Sequence, residues 1–447
     1  MRRRPVSVIP VGLVLGLGLG LVLGLGLGLL APAAAASAPA AAVSAPVGRP
    51  VAASEGDLSE RIRRTLPTMT QAPGFGRRLG MVVADADGEI LFTSGAQTPL
   101  APASTLKILS AAAALRTLGA ETRLRTRVRL LNPPTSATGL PRDGVARIAL
   151  VGGGDPLLRS SELRDLAGAT RTRLNELGFA RADLIADDTL FAPPRPAQGW
   201  RARDLPWTVS PVRPLVVDRR ASTDTTAVTL RVFRDALRDA GMPTTVGPRA
   251  TAPTSGPAVA ATDGHTVTQA VRHMLWTSDN DTAEILTRTT AAMSGRGGDW
   301  AGTIDLLEDT LRDLGLTTAG VRIYDGSGLS RANRMPAATL DGVLTASLSP
   351  AHPELHPLWQ APLLPKSGRH GTLKTRFRSG PTACARGKVY GKTGTLNGVV
   401  TLAGYARGRD GALRSFTVFV NRRDPAVGDA GTRRAIDTAI ARVVGCR

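Results

Sequence analysis

The chain has 447 residues, enough for two or three domains. Apolar residues make up 42% and aromatic residues only 4%, so the chain is globular and is not built to stack bases or sugars on rings. The net charge is +20, carried almost entirely by arginines that are scattered along the chain. Scattered arginines do not indicate a nucleic-acid site. An anionic polymer, a lipid surface or a merely solvated basic surface fits them better.

The first 50 residues differ from the rest of the chain. Arg2, Arg3 and Arg4 precede the uncharged, apolar residues 6–30, and a tract rich in Ala and Pro follows. A basic start, an apolar stretch and Ala-x-Ala sites are typical of a secretory signal peptide. The apolar stretch also reaches the length of about 20 residues that spans a bilayer, so a retained anchor is the alternative. In both cases we expect the remaining chain to be exported.

Both ends of the remaining chain predict one antiparallel sheet with helices packed on it. A helix is expected at residues 57–66, a hairpin with an Asp-Gly turn at 79–84 and 89–93, and an Ala/Leu-rich helix at 102–115. Three strands at 388–395, 399–403 and 415–420 and a helix at 431–444 follow near the end. A helical region, about 266–348, would pack beside this sheet.

Residues 127–262 restart the pattern and predict an inserted α+β domain. Strands are expected at 128–131, 145–151 and 182–187, with a helix at 161–177 and Pro-rich loops. We therefore predict an α/β (α+β) fold in which residues 51–126 and 263–447 form one domain around this insert.

Cysteines and histidines give no metal-binding pattern. Cys384 and Cys446 are the only cysteines. An exported protein could form a disulfide between them, although the sequence does not establish the pairing. The five histidines are scattered. We expect no metal and no cofactor.

The first motif that carries chemistry is Ser104-Thr105-Leu106-Lys107. On a helix, positions three apart share a face, so the lysine amine can reach the serine hydroxyl. Serine becomes a good nucleophile when a base takes its proton, and a desolvated, neutral lysine can do this. The motif alone is weak, since Ser104 could simply cap a helix. A lysine in an otherwise apolar helix favours the chemical interpretation.

Two further motifs follow in the chain. Ser278-Asp279-Asn280 lies between two predicted helices, where it could relay a proton and hold a substrate amide, although the motif alone favours a helix cap. Lys392-Thr393-Gly394-Thr395 lies on a predicted strand whose edge could pair with an extended peptide. Gly394 would leave room for close approach, while Lys392 and the threonine hydroxyls could bind a terminal carboxylate.

The three motifs together resemble penicillin-binding proteins and class A β-lactamases. The 174 residues from Ser104 to Ser278 leave room for the insert, and this makes the chain similar to the class C low-molecular-mass penicillin-binding proteins, the D-Ala-D-Ala carboxypeptidase/endopeptidase family. The resemblance covers about residues 55–445. It implies a transpeptidase-like domain, a secreted serine hydrolase of the cell wall, and covalent acylation by β-lactams.

The resemblance also implies a role for each motif residue. Ser104 would attack the penultimate D-Ala of peptidoglycan peptides and Lys107 would be its base. Ser278 would pass a proton to the departing D-Ala, and Asn280 and Lys392 would position the substrate. Thr393 and Thr395 would bind its terminal carboxylate. The enzyme would act outside the cytoplasm, where its basic surface could contact the membrane or an anionic wall polymer.

Two other functions remain open at this stage. A β-lactamase would share the nucleophile but would deacylate rapidly, and no Glu motif in the sequence convincingly supplies the base for that step. A non-catalytic wall-binding protein would keep the fold, but the complete set of motif residues argues against it.

Overall fold

The structure is a computed structural model that describes residues 55–134, 143–252, 257–360 and 363–447. The predicted signal peptide or anchor and its Ala/Pro tract lie outside these residues. Within the four stretches, no helix combines the length and the apolar character needed to cross a bilayer.

The strands of the described residues are β1 Arg78–Ala84, β2 Ile90–Ser94, β3 Arg123–Leu124, β4 Arg127–Leu130, β5 Val145–Val151, β6 Arg181–Asp187, β7 Thr244–Val246, β8 Ala258–Ala261, β9 His265–Thr266, β10 Val389–Leu396, β11 Val399–Arg407 and β12 Leu413–Asn421. The helices are α1 Glu55–Met69, α2 Lys107–Leu118, α3 Ser160–Glu176, α4 Thr225–Asp239, α5 Val267–Thr277, α6 Asn280–Met293, α7 Trp300–Asp313, α8 Ala337–Ala346 and α9 Gly428–Val444.

The main sheet joins the two ends of the chain, as predicted. Its order is β10-β11-β12-β1-β2 and every neighbouring pair is antiparallel. Side chains on a strand alternate between the two faces. Val82 accordingly packs with α2, α5 and α8, whereas Met81 and Val83 pack with α1 and α9 on the opposite face. The sheet is thus buried on both sides, and β10 is one of its edges.

Helix α2 is the central element of the larger core. Every residue from Lys107 to Leu115 is buried, and α2 packs against α5, α6, α7 and α8. An Ala-rich, largely apolar helix suits this position because it has no continuous polar face that needs contact with water. Lys107 is the single charged residue in this buried stretch, and its surroundings decide what it can do.

A second sheet lies between residues 127 and 261. Its order is β7-β6-β5-β4-β8, with parallel pairing of β5, β6 and β7, and α3 and α4 cover it with a hydrophobic core of its own. Strands β3 and β9, which flank this stretch in the sequence, pair with each other. The chain therefore enters and leaves the region of the second sheet at the same place. The mixed α/β class is confirmed, while the division into domains stays a prediction.

The two cysteines are joined. Cys384 and Cys446 form a disulfide with their Cα atoms 5.8 Å apart. It connects the loop before β10 to the residues after α9, beside the hydrophobic core on the sheet face that α1 and α9 cover.

Candidate active site

Ser104 lies in a short 3₁₀ turn, residues 103–106, which leads directly into α2. The sequence predicts that Ser104 lies within the α-helix, whereas the structure places it in a 3₁₀ turn just before the helix begins. In a 3₁₀ turn, side chains three apart are eclipsed, so Ser104 and Lys107 still lie on one side. Lys107 Nζ is 3.2 Å from Ser104 Oγ. Ala103, immediately before the serine, has a left-handed backbone with φ of 48°, a strained conformation for a residue with a side chain.

Lys107 is fully buried, and three oxygens surround its amine. Nζ donates to Asn280 Oδ1 and to the Ser327 carbonyl, each at 2.7 Å, and the third neighbour is Ser104 Oγ. A neutral amine has two N–H groups and one lone pair. With both N–H groups engaged by the amide and the carbonyl, the lone pair is directed at the serine hydroxyl.

Burial favours this neutral form. Desolvation lowers the pKa of Lys107 from 10.5 to about 8, against the opposing effect of the carboxylates of Glu284, Asp325 and Asp279. A general base is most effective when its pKa lies near the working pH. Lys107 therefore has the electrostatic properties of a base as well as the position.

Ser278 and Asn280 lie at the junction of α5 and α6. Ser278 adopts the left-handed conformation that ends α5, and Asp279 caps α6 by accepting a hydrogen bond from the Thr282 N–H at 2.6 Å. Asp279 is thus the capping residue of the motif, while the chemical roles of Ser278 and Asn280 stay a prediction. The cap turns Asn280 towards Lys107 and leaves the Ser278 hydroxyl free to contact Lys392.

Lys392 completes the polar cluster from β10. It is fully buried, and its Nζ donates to Ser278 Oγ and to the Thr393 carbonyl, both at 2.7 Å. Burial, followed by the charge of nearby Lys107, lowers the pKa of Lys392 well below its ordinary value. The structure thus brings the two lysines and the two serines of the three motifs into one cluster.

The edge of β10 is open for pairing at residues 393–395. Gly391 donates its N–H away from β11, to the Pro365 carbonyl at 2.9 Å. Backbone groups in an antiparallel strand alternate in direction, so the N–H groups of Thr393 and Thr395 also face the free edge. The Thr393 side chain contacts Thr372 Oγ1 at 2.9 Å. An extended peptide could therefore pair with this edge beside both threonines.

Two glycines allow β10 and a loop to approach the turn that carries Ser104. A methyl group on Gly394 would lie 2.9 Å from the Ser104 nitrogen and 2.2 Å from Thr401 Oγ1. A methyl group on Gly328, where φ is 78°, would lie 1.9 Å from the Ala103 carbonyl oxygen. Both distances are far below van der Waals contact, so any larger side chain would push the nucleophile turn away.

Two buried carboxylates support the site and were not assigned a role from the sequence. Glu284 accepts hydrogen bonds from the backbone N–H groups of Gly326 and Ser327 at 3.0 and 2.8 Å. Asp325 accepts from Gly328 and Ser330 N–H groups at 3.0 and 2.6 Å. Together the carboxylates fix the loop whose Ser327 carbonyl contacts Lys107.

A sequence signal for Glu284 existed. It follows Asn280 by four positions on α6 and so lies on the same helix face, among residues that are almost all buried. Burial and the neighbouring Asp325 raise the pKa of Glu284 to about 7. The sequence carries no comparable signal for the loop at residues 325–328, because this loop reaches Lys107 only through tertiary packing.

Loop residues of the predicted insert also support the site. Thr208 accepts a hydrogen bond from Asn280 Nδ2 at 2.9 Å, and the Trp200 indole N–H donates to Asp325 at 2.8 Å. Ser210 donates its backbone N–H to Asp281 at 2.6 Å. The orientation of the Asn280 amide is thereby fixed from two sides, with its oxygen on Lys107 and its nitrogen on residue 208.

The Glu284→Gln variant tests whether this carboxylate positions the lysine. A glutamine can accept only one of the two N–H bonds well and places an NH₂ group against the other donor, an arrangement that costs about 1–3 kcal/mol. We expect acylation of Ser104 by a β-lactam to slow about 10- to 100-fold. Loss of the negative charge should also move the pH midpoint of acylation to lower values.

Stopped-flow acylation across pH 6–10 measures both effects. Glu60→Gln is the matched control, because Glu60 is exposed on α1. An unchanged rate and an unchanged midpoint in Glu284→Gln would show that the carboxylate does not act through Lys107.

Known proteins share this architecture. The family model described as D-Ala-D-Ala carboxypeptidase 3 (S13) matches residues 62–221 and 212–443. Carboxypeptidase DacB of Mycolicibacterium smegmatis is 31% identical over 413 residues, covering 86% of this chain and 85% of the relative. The D-alanyl-D-alanine carboxypeptidase of an Actinomadura strain is 28% identical, covering 88% and 86%.

A solved structure extends the comparison to the fold. Penicillin binding protein 4 (dacB) of Haemophilus influenzae superimposes with a TM-score of 0.70 at 20% identity, covering 85% of this chain and 98% of that protein. At that identity the match concerns the fold alone. The family match, the two relatives and the cluster around Ser104 all agree, and the chain belongs to the D-Ala-D-Ala carboxypeptidase 3 (S13) family.

Proposed function

We propose that this chain removes the terminal D-Ala from peptidoglycan peptides through an acyl-enzyme on Ser104. The observation that carries the proposal is the arrangement around Lys107 Nζ, which is 2.7 Å from Asn280 Oδ1 and from the Ser327 carbonyl and 3.2 Å from Ser104 Oγ. It places a buried base beside the hydroxyl of a half-buried serine. Membership of a D-Ala-D-Ala carboxypeptidase family supports the same reaction.

The first half-reaction uses the lysine lone pair. Lys107 takes the Ser104 proton as Oγ attacks the penultimate D-Ala carbonyl carbon. The negative charge that forms on the carbonyl oxygen would be held by the backbone N–H groups of Ser104 and Thr395, which lie on the two elements that Gly394 allows to approach. The substrate pairs with the edge of β10, and its terminal carboxylate binds the Thr393 and Thr395 hydroxyls.

Acylation is completed when the leaving amine gains a proton. Ser278 is hydrogen-bonded to Lys392 Nζ and can pass a proton to the departing D-Ala, and the proton that Lys107 took from Ser104 then replaces the one that Ser278 gave up. The C–N bond breaks and the serine ester remains. In the second half-reaction, water hydrolyses this ester and frees Ser104 and the shortened peptide. A β-lactam would open on Ser104 in the same way and stay attached. Cleavage of cross-linked peptides, the endopeptidase reaction, uses the same steps with a larger leaving amine.

Export is part of the proposal. The apolar start of the sequence and the Cys384–Cys446 disulfide both fit a protein that works outside the cytoplasm, where disulfides persist. The +20 charge would suit contact with anionic wall polymers or a membrane surface.

Product analysis tests the function. After incubation with a stem peptide that ends in D-Ala-D-Ala, mass spectrometry should show a product lacking one alanine. Ser104→Ala should reduce the rate of this reaction by at least about 10³-fold, the scale of losing a nucleophile. Fluorescent penicillin should label the wild type at Ser104. Ser161→Ala, an exposed serine on α3, is the control and should retain both activities.

Two results would contradict the proposal. Persistent labelling of Ser104→Ala would place the nucleophile elsewhere. Rapid turnover of penicillin instead of stable labelling would make the protein a β-lactamase.

The pH dependence of acylation follows from the lowered pKa of Lys107, about 8. The reactive form is the neutral amine, so the acylation rate should rise with pH and level off above about 8. Below that value it should fall about tenfold per pH unit, because the neutral fraction does. Stopped-flow acylation by a chromogenic cephalosporin measures the profile. A rate that stays constant between pH 6 and 9 would exclude Lys107 as the titrating base.

A further inference from the structure

A cavity of ≈ 640 Å³ opens beside the strand that carries the third motif. Thr393, Gly394 and Thr395 form one wall, the loop residues 372–382 form another, and α9 closes the far side. The cavity therefore begins where the terminal carboxylate of a bound substrate would lie and continues away from β10. The reaction proposed above needs only the first part of this space, because a terminal D-Ala ends at its carboxylate.

The walls of this cavity carry four arginines against one carboxylate. The arginines are Arg376, Arg378, Arg433 and Arg434, and the carboxylate is Asp437. Asp437 is already paired with Arg376, whose Nε lies 3.0 Å from both carboxylate oxygens. Among the described residues, the other three arginines thus form no ion pair with a carboxylate of the cavity wall.

The other three arginines are placed to meet a ligand. Arg433 Nη2 lies 3.4 Å from Thr395 Oγ1, so its positive charge adjoins the carboxylate-binding threonine, and its nearest carboxylate, Asp429, is 4.0 Å away. Arg378 and Arg434 are exposed, and neither side chain forms a hydrogen bond or an ion pair among the described residues. Guanidinium groups bind carboxylates through paired N–H bonds, so acidic groups are the chemistry that fits.

We propose that this cavity is a subsite for an acidic leaving group. Building on the carboxypeptidase activity proposed above, it receives a peptide that is joined to the penultimate D-Ala through an amine and carries further carboxylates beyond the one held by Thr393 and Thr395. Arg433 lies next to that carboxylate, and Arg378 and Arg434 bind the more distant ones. When Ser104 displaces the amine, the acidic peptide leaves through the open mouth. Cross-linked wall peptides are substrates of this class.

A comparison of two substrates tests the subsite. The first is a monomeric stem peptide ending in D-Ala-D-Ala, and the second is a cross-linked stem-peptide dimer purified from a muramidase digest of peptidoglycan. In the Arg378→Ala/Arg434→Ala double variant, kcat/KM on the dimer should fall about three- to tenfold relative to kcat/KM on the monomer, the scale of two exposed charge pairs. Added salt should reduce the preference of the wild type for the dimer in the same direction.

Arg171→Ala/Arg231→Ala is the matched control. Both residues are exposed, on the helices α3 and α4 that cover the second sheet. The double substitution removes two positive charges, as the Arg378→Ala/Arg434→Ala variant does. The control should keep the wild-type ratio of the two kcat/KM values. An equal ratio in all three proteins would overturn the inference, as would a wild type that trims the monomer but leaves the dimer intact. A wild type that penicillin fails to label would instead overturn the proposed function.

Discussion

The burial of one lysine amine is the constraint on which the site depends. Lys107 is the only charged residue of the buried stretch of α2, and its cost of desolvation is offset by hydrogen bonds to Asn280 and the Ser327 carbonyl. Those two bonds use the N–H groups of the neutral amine, and the remaining lone pair faces Ser104. The same burial lowers the pKa of Lys107 to about 8. Position, protonation state and direction of the base therefore have one cause.

Distant parts of the chain are recruited to hold this amine. Helix α6 contributes Asn280 and Glu284, and the loop at 325–328 contributes a carbonyl that Glu284 fixes through two backbone bonds. The residues between the two motif serines participate as well, because Thr208 orients the Asn280 amide. The 174-residue gap from Ser104 to Ser278 thus contains structure that supports the site as well as a separate sheet.

Much of this arrangement could be predicted from sequence because its signals are local. The hairpin around Asp85–Gly88, the three late strands and the buried Ala-rich helix follow from turn residues and periodicity. The three motifs share an order and residue types that a known family also has. Ser327 could not be assigned in that way, because it acts through a backbone carbonyl, which has no sequence signature. Glu284 has a sequence signal in its spacing from Asn280, but its role depends on the loop that contains Ser327. The 3₁₀ turn at Ser104 was missed for a similar reason. The neighbouring Gly328 and Gly394 hold it by tertiary contact, which overrides the helical propensity of the segment.

A titration of the lysine side chains tests the central claim most directly. The chain has only five lysines, so ¹³C-lysine labelling gives five side-chain signals, and Lys107→Arg and Lys392→Arg variants assign the two buried ones. An NMR titration from pH 6 to 11 should show Lys107 changing near pH 8, and Lys392 should titrate well below 10.5. If Lys107 instead titrated at its ordinary value of 10.5, it would be a charged ammonium at neutral pH and could not be the base that activates Ser104.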